Sequence, residues 1–177
     1  GLFGFGKIGR AVARRARGFG MRVLAVDPHA DEQQASELGA TITDAKTLLR
    51  ESDVISKHMN LTAENRHFFD DAGFAAMEKH PIFLNVSRGG SVDEAALVRA
   101  LDNGLIRAAG LDVLEAEKPD LENCALIGRE NVILTPHAAF YSARSIEALQ
   151  RMSCHNLTDC LTGNRAHAFK IVNGVSI

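Results

Sequence analysis

The chain has 177 residues and a formal net charge of −2, because 20 lysines and arginines oppose 22 aspartates and glutamates. This balance gives no electrostatic case for a nucleic acid or an anionic membrane as a partner. The length suits one domain, with room for a short appendage.

A glycine-rich turn of the form GxGxxG follows the first predicted strand, which ends at Leu2 and Phe3. Gly4 permits a tight turn, Gly6 lets the main chain approach a pyrophosphate, and Gly9 lets the next helix lie close to the sheet. The motif alone is weak evidence, since such turns also occur for packing reasons.

The helix after this turn is predicted to present one apolar face, formed by Ile8, Ala11, Val12, Ala16 and Phe19. Four arginines fall mostly on the other face: Arg10, Arg14, Arg15 and Arg17. This arrangement favours a solvated surface over a basic binding patch.

The second strand, MRVLAVD, ends at Asp27, which lies 18 residues after Gly9. Near this spacing a carboxylate accepts hydrogen bonds from the 2′-hydroxyl of an adenosine ribose, and it would repel a 2′-phosphate. The sequence therefore favours NAD over NADP.

Strands and helices alternate through the rest of the chain. The patterns predict helices at 31–38, within 62–79 and at 142–161. They predict two more, of which one begins at Asp44 and the other begins at Ser91 or Asp93 and ends at Gly104. They predict strands at 40–43, 52–58, 82–88, 108–114 and 131–135. This alternation indicates an α/β fold with a doubly wound parallel sheet.

Polar residues terminate the predicted strands: Asp27, His58, Arg88, Asp112 and His137. Ligands of open parallel sheets bind beyond the carboxyl ends of the strands, so we expect these residues along one edge. Singly, Arg88 fits a surface position, His137 a hydrogen-bonded loop histidine, and Glu117 a solvated acid.

Together, Arg88, Glu117 and His137 form a chemical set. Arg88 offers a bidentate fork for a carboxylate and a charge to polarise a keto oxygen. His137 can exchange a proton with an alcohol, and Glu117 would hold the imidazole. No metal is expected, because no two of the seven histidines have a ligand spacing with a carboxylate or cysteine.

Three cysteines, Cys124, Cys154 and Cys160, form no CxxC pair, and one stays unpaired in any disulfide scheme. This pattern favours a reducing compartment, with the cytoplasm as the default. No apolar run approaches the roughly 18 residues of a membrane span.

From Gly4 to about Ser142 the chain resembles the D-isomer-specific 2-hydroxyacid dehydrogenases. Four segments carry the likeness in order: GFGKIG with Asp27, NVSRGGSVDEAAL, LDVLEAEKP and NVILTPHAAF. The resemblance implies a Rossmann-type NAD-binding domain and reversible hydride transfer between NADH and a 2-keto acid. Formate dehydrogenases share the layout but pair the histidine with glutamine, so Glu117 argues against that branch.

The resemblance implies that Arg88 binds and polarises the keto acid, that His137 is the acid/base, and that Glu117 is its partner. It also implies that NAD contacts more residues than Gly4, Gly6, Gly9 and Asp27. Lys7 and Ile8 would contact the pyrophosphate, and Met59, Asn60 and Asn65 the adenosine side. Val86 and Ser87 would contact the nicotinamide ribose, and Asp112 would face the nicotinamide side. Asn60 stands where the family pattern has a proline.

Family members have a second, substrate-binding domain built mainly from residues before the glycine motif. We therefore expect residues 1–163 to be the NAD-binding domain and 164–177 a tail returning towards a substrate domain that this sequence lacks. AAFYS after His137 is similar to the D-lactate dehydrogenase subgroup, whereas HMNLTAEN is closer to other branches. A homodimer is implied by resemblance only. The alternative is a corepressor-like module that binds NAD(H) as a sensor or scaffold without turnover.

Overall fold

The structure is a computed structural model that describes residues 1–164. Its main-chain contacts divide the chain into two compact units, Gly1–His137 and the residues from Ala138 onward. The first unit contains a parallel sheet, and the second contains one long helix. This division does not test the predicted domain boundary at residue 163, which stays a prediction.

The described residues form one seven-stranded sheet in the order β3-β2-β1-β4-β5-β6-β7, and every neighbouring pair is parallel. The strands are β1 (Leu2–Phe3), β2 (Val23–Val26), β3 (Ala40–Ile42), β4 (Val54–Lys57), β5 (Ile82–Asn85), β6 (Ala108–Leu111) and β7 (Val132–Leu134). The predicted doubly wound sheet is confirmed. Its strand order reverses between β1 and β4, which opens a crevice at their carboxyl ends.

Helices connect the strands at α1 (Lys7–Gly18), α2 (Glu32–Glu37), α3 (Ala45–Glu51), α4 (Asp71–Ala75) and α5 (Glu94–Asp102), and α6 (Ala143–Leu161) forms most of the second unit. Asp44 accepts a hydrogen bond from the Thr47 N–H at the start of α3, as predicted. Asp93 caps α5 in the same way, whereas Ser91 lies in a 3₁₀ turn, Gly89–Ser91. Short polar side chains thus set where these helices begin.

The predicted helix within 62–79 is much shorter in the structure. The main-chain N–H groups of His67 and Phe69 donate to the carbonyls of Gly90 and Ser91. Phe69 also pairs with Val92 in an isolated parallel bridge. Because these bonds hold the chain extended, α4 begins only at Asp71.

Two hydrophobic clusters cover the two faces of the sheet, because successive residues of a strand point to opposite sides. Phe3 packs in one cluster with Phe69, Phe74 and Phe83, whose rings meet mostly edge to face. Leu2, the next residue in β1, lies in the other cluster. Both faces of the sheet are therefore buried.

The prediction that Ile8 and Phe19 belong to the packed apolar face of α1 was wrong. Ile8 is 65% exposed and Phe19 is 86% exposed. The packed face contains Gly9, Val12, Ala13 and Ala16 instead. A Cβ built on Gly9 would lie 2.1 Å from the Gly4 carbonyl oxygen, so the helix touches β1 through its smallest residues. None of the helices within residues 1–164 is long and apolar enough to cross a lipid bilayer.

We expect Gly9→Ala to lower the free energy of unfolding by about 2–3 kcal/mol, because the added methyl group must displace main chain. Gly18→Ala is the matched control at the other end of α1, where a Cβ meets no atom within 4 Å. It should change stability by less than about 1 kcal/mol, in the stabilising direction. Urea unfolding followed by circular dichroism measures both, and equal stabilities would contradict the close packing of α1.

Candidate active site

The glycine turn between β1 and α1 combines two crowded positions with one open position. Gly4 has φ +95°, and a Cβ there would lie 2.6 Å from the Met59 nitrogen. Gly9 is equally crowded, whereas a Cβ on Gly6 would meet no protein atom within 4 Å. The fold therefore requires Gly4 and Gly9, while Gly6 leaves space that a ligand can enter.

The start of α1 faces this open space. Gly6 is its N-cap residue and supplies no side-chain hydrogen bond, and the first turn contains no acidic residue. The first N–H groups of a helix and its dipole attract anions. Lys7 and Ile8, which the sequence assigned to a pyrophosphate, are the first two residues of the helix.

Asp27 follows β2 and joins it to the glycine turn. One carboxylate oxygen accepts a 2.7 Å hydrogen bond from the Phe5 N–H, and the other accepts one of 2.9 Å from the His29 N–H. These bonds fix the carboxylate beside the turn. Each oxygen keeps a lone pair that can accept from a sugar hydroxyl.

The loop after β4 carries Met59, Asn60 and Asn65. The Asn65 side chain accepts a 2.9 Å hydrogen bond from the Thr62 N–H and donates one of 2.8 Å to the Asn60 carbonyl. Asn65 therefore closes the loop on itself and holds the segment in which Asn60 replaces the family proline.

The segment after β5 holds the Arg88 main chain firmly. The Arg88 carbonyl accepts from the Asn85 amide at 3.0 Å and from the Ser91 hydroxyl at 3.2 Å. Asn85, which is buried, also accepts from the Ser87 N–H at 3.2 Å. A Cβ on Gly89 would lie 1.8 Å from the Leu114 carbonyl oxygen, so this segment packs tightly against the loop after β6. The Arg88 side chain itself is exposed.

A third donor to the Arg88 carbonyl is Lys57, which the sequence interpretation missed. Lys57 ends β4, and its ammonium lies 3.0 Å from that carbonyl, 2.9 Å from the Ser87 hydroxyl and 3.3 Å from the Met59 carbonyl. Burial lowers the pKa of Lys57 to about 8, and the Arg88 guanidinium contributes to the shift. One sequence signal pointed to the burial of Lys57. It lies two residues after Ile55 in the same strand, so both side chains face the same side of the sheet, towards the interior.

His58 follows Lys57 at the crevice. Its Nε2 lies 3.0 Å from the Ser56 hydroxyl, and its Nδ1 is buried without a hydrogen-bond partner in the described part of the chain. Burial lowers the pKa of His58 to about 4, and the Lys57 ammonium acts in the same direction. The imidazole is therefore neutral at pH 7.

The structure brings the proposed chemical set to one cavity of about 640 Å³, whose lining includes Arg88, Asp112, Glu117 and His137. Asp112 is only 3% exposed and accepts a 2.5 Å hydrogen bond from the Thr135 hydroxyl. His137 has φ +52°, a left-handed conformation that aims its side chain from a tight turn after β7. Three loops thus deliver these four side chains to a single space.

Glu115 lines the same cavity and was not singled out from the sequence. Its carboxylate accepts hydrogen bonds from Arg66 at 2.6 Å and His67 at 2.7 Å. These contacts join the loop after β4 to the loop that carries Glu117. Within residues 1–164, no group of three or more histidine, cysteine, aspartate or glutamate side chains is placed to hold a metal ion.

The parallel sheet, the uncapped α1 and the carboxylate after β2 define a dinucleotide-binding α/β domain. Residues 1–139 match the model of the D-isomer specific 2-hydroxyacid dehydrogenase family, NAD binding domain. The chain belongs to this family.

Named relatives agree with this placement. The chain is 44% identical to D-3-phosphoglycerate dehydrogenase 2, chloroplastic, of Arabidopsis thaliana, covering 77% of this chain and 22% of that protein. It is 43% identical to glyoxylate reductase of Korarchaeum cryptofilum, covering 89% and 47% respectively. The crystal structure of D-lactate dehydrogenase with NAD+ from Lactobacillus jensenii superposes with a TM-score of 0.87 and 34% identity, over 97% of this chain and 55% of that one. The chain thus spans about half of two of these relatives and less of the third.

The low pKa of His58 predicts a specific loss of stability in acid. The unfolded imidazole takes up a proton near pH 6.5, whereas the folded one does so only near pH 4, so stability falls as the pH drops through this window. After allowance for its partial exposure, we expect this loss to reach about 2 kcal/mol at pH 4.

Urea unfolding between pH 7 and pH 4 measures this loss. His58→Gln should show a shallower decline, and His155→Gln, at an exposed position of α6, should match the wild type. Parallel curves for the wild type and His58→Gln would contradict the assignment of a buried neutral imidazole.

Proposed function

We propose that this chain is the cofactor-binding part of an NAD-dependent oxidoreductase that interconverts a 2-keto acid and a D-2-hydroxy acid by hydride transfer. The observation that carries the proposal is the convergence of Arg88, Glu117 and His137, with Asp112, on one cavity. These residues lie in segments far apart in the sequence, and their chemistry is what a keto acid requires.

The residues present fit NAD. The open space at Gly6 and the first N–H groups of α1 suit the pyrophosphate, with Lys7 and Ile8 beside it. Asp27 is fixed where it can accept from a ribose hydroxyl. We propose further contacts from Gly4, Gly9, Met59, Asn60, Asn65, Val86, Ser87 and Asp112. When bound, NAD supplies or accepts the hydride.

In the proposed reduction, Arg88 binds the substrate carboxylate with its planar fork and polarises the keto oxygen. His137 would give a proton to that oxygen in the reduction and would remove it in the reverse reaction. In this proposal Glu117 orients the imidazole of His137. The hydrogen bonds to the Arg88 carbonyl fix the main chain from which this side chain extends.

The substrate is proposed at the level of its class. Relatives in this family are named for glyoxylate, 3-phosphoglycerate and lactate. Every 2-keto or 2-hydroxy acid would present the same group to Arg88, a carboxylate next to a carbon that bears an oxygen. We also propose that residues 1–163 form the NAD-binding domain, that 164–177 form a tail, and that the protein is a cytoplasmic homodimer. Most of residues 164–177 lie outside the part of the chain that the structure describes.

Replacing Gly6 separates cofactor binding from folding. We expect Gly6→Ala to fold with unchanged stability, because the Cβ meets no protein atom, but to bind NADH at least about tenfold more weakly, because the methyl group occupies the pyrophosphate space. NADH fluorescence titration measures the affinity, and Gly18→Ala is the control. Unchanged NADH affinity would remove the proposed pyrophosphate site.

Replacing His137 tests the chemistry. In the protein that contains this chain, His137→Ala should lower kcat for NADH oxidation about 10²- to 10⁴-fold, because a positioned acid/base is lost, while the Kd for NADH stays the same. The assay uses glyoxylate, hydroxypyruvate and pyruvate in turn, with His155→Ala as the control.

Retained turnover by His137→Ala would rule out its proposed role. A wild-type protein that binds NADH tightly and reduces none of a broad panel of 2-keto acids would instead favour the sensor or scaffold alternative.

A further inference from the structure

Lys57 is a buried cation that the proposed chemistry does not use. It is 0% exposed, and within residues 1–164 no carboxylate forms an ion pair with it. Burying an ammonium without a counter-ion is costly, so a lysine that only filled space would be a poor choice beside Ile55. Packing alone therefore does not account for its positive charge.

The ammonium is held in place by its three hydrogen bonds. It has three N–H groups, and the Met59 carbonyl, the Ser87 hydroxyl and the Arg88 carbonyl take one each. No N–H remains for a substrate. Lys57 can therefore influence a ligand only by its charge and by the groups that it holds.

The position of Lys57 in the sheet identifies the ligand group that its charge meets. Lys57 ends β4, next to the crevice where the strand order reverses, and Met59 lies against the glycine turn. On its other side Lys57 holds Ser87 and Arg88. In the proposed function the pyrophosphate lies at the glycine turn and the keto acid at Arg88, so Lys57 lies between the two places that the cofactor would link.

We propose that Lys57 makes this site prefer NADH to NAD+. The oxidised nicotinamide ring carries a positive charge and the reduced ring carries none, so a fixed ammonium nearby repels only the oxidised form. Arg88 adds to this repulsion and Asp112 opposes it. At equal concentrations of the two forms, the site would therefore hold mainly NADH. The inference rests on the proposed cofactor site.

The test compares the affinities of the two forms of the cofactor and needs no turnover. The Kd for NADH and for NAD+ is measured by fluorescence and calorimetry at pH 7 for the wild type, Lys57→Met and Lys57→Arg. One unit charge at this position should change the ratio of the two Kd values about three- to tenfold. We expect that loss of preference in Lys57→Met, because methionine keeps the volume without the charge, and a retained preference in Lys57→Arg.

Lys79→Met is the matched control, since Lys79 is partly exposed and pairs with Asp53 at the opposite edge of the sheet, before β4. It should leave the ratio unchanged. A purely structural role for Lys57 would weaken NADH and NAD+ alike, so an unchanged ratio in Lys57→Met would overturn the inference while leaving the proposed function in place. Failure of the wild type to bind either form would overturn both.

A measurement on the wild type alone covers the case in which Lys57→Met does not fold. The pKa of Lys57 is about 8, so its charge is lost as the pH rises from 7 to 9.5. Among the described residues, Arg88 and His58 interact with Lys57 electrostatically. Arg88 stays charged in this pH range, and His58 stays neutral. The preference for NADH should therefore decrease as the pH rises through about 8, and a ratio that is constant with pH would overturn the inference.

Discussion

Parallel pairing of β1 with β2 on one side and β4 on the other is the constraint on which the candidate site depends. Because the seven strands of the described sheet all run in one direction, their carboxyl ends meet at the same edge. Residues far apart in the sequence, such as Asp27, Arg88 and His137, are delivered to that edge by the strands that precede them. The reversal of order at β1 and β4 then leaves an opening that Gly4 and His58 border.

This edge concentrates buried polar groups, and their hydrogen bonds explain how the fold tolerates them. Buried polar groups cost free energy unless they find partners. Lys57 has three acceptors, Asn85 bonds to Ser87 and Arg88, and Asp112 accepts from a threonine hydroxyl. The exception in residues 1–164 is Nδ1 of His58. A connected network of this kind holds its members in one arrangement, and here it ends on the main chain of Arg88.

The sequence predicted the sheet well because its signals are local. Apolar strands alternate with capped helices, and the three glycines of the turn have distinct steric requirements that the structure bears out at Gly4 and Gly9. The predictions from the sequence were wrong where contacts between distant segments determine the length or orientation of a helix. Hydrogen bonds from the chain near Phe69 to the segment after Arg88 prevent a longer helix, and the contact of Gly9 with β1 rotates α1 so that Ile8 is exposed.

The candidate site was predictable as a set of residue types but not as a network. Strand ends identified Arg88, Asp112 and His137, and the structure places them with Glu117 at one cavity. The position of Lys57 two residues after Ile55 was a weak signal of burial, because a lysine at the end of a strand usually extends into solvent. Its burial follows from the loop after β5, whose carbonyl and hydroxyl groups offer an ammonium the partners that it would otherwise find in water.

The two halves of the site are built on different principles. The space at Gly6 is made by main chain and by the absence of a side chain, so it is compatible with many surrounding sequences. The cavity depends on particular side chains from three loops, and Glu115 ties one of them, the loop after β6, to the loop after β4. Relatives named for three different acids each match at least 77% of this chain, as expected if a dinucleotide site made of main chain persists while the cavity walls vary. Lys57 joins the two halves, because its ammonium bonds to the Met59 carbonyl beside the glycine turn and to the Arg88 carbonyl at the cavity.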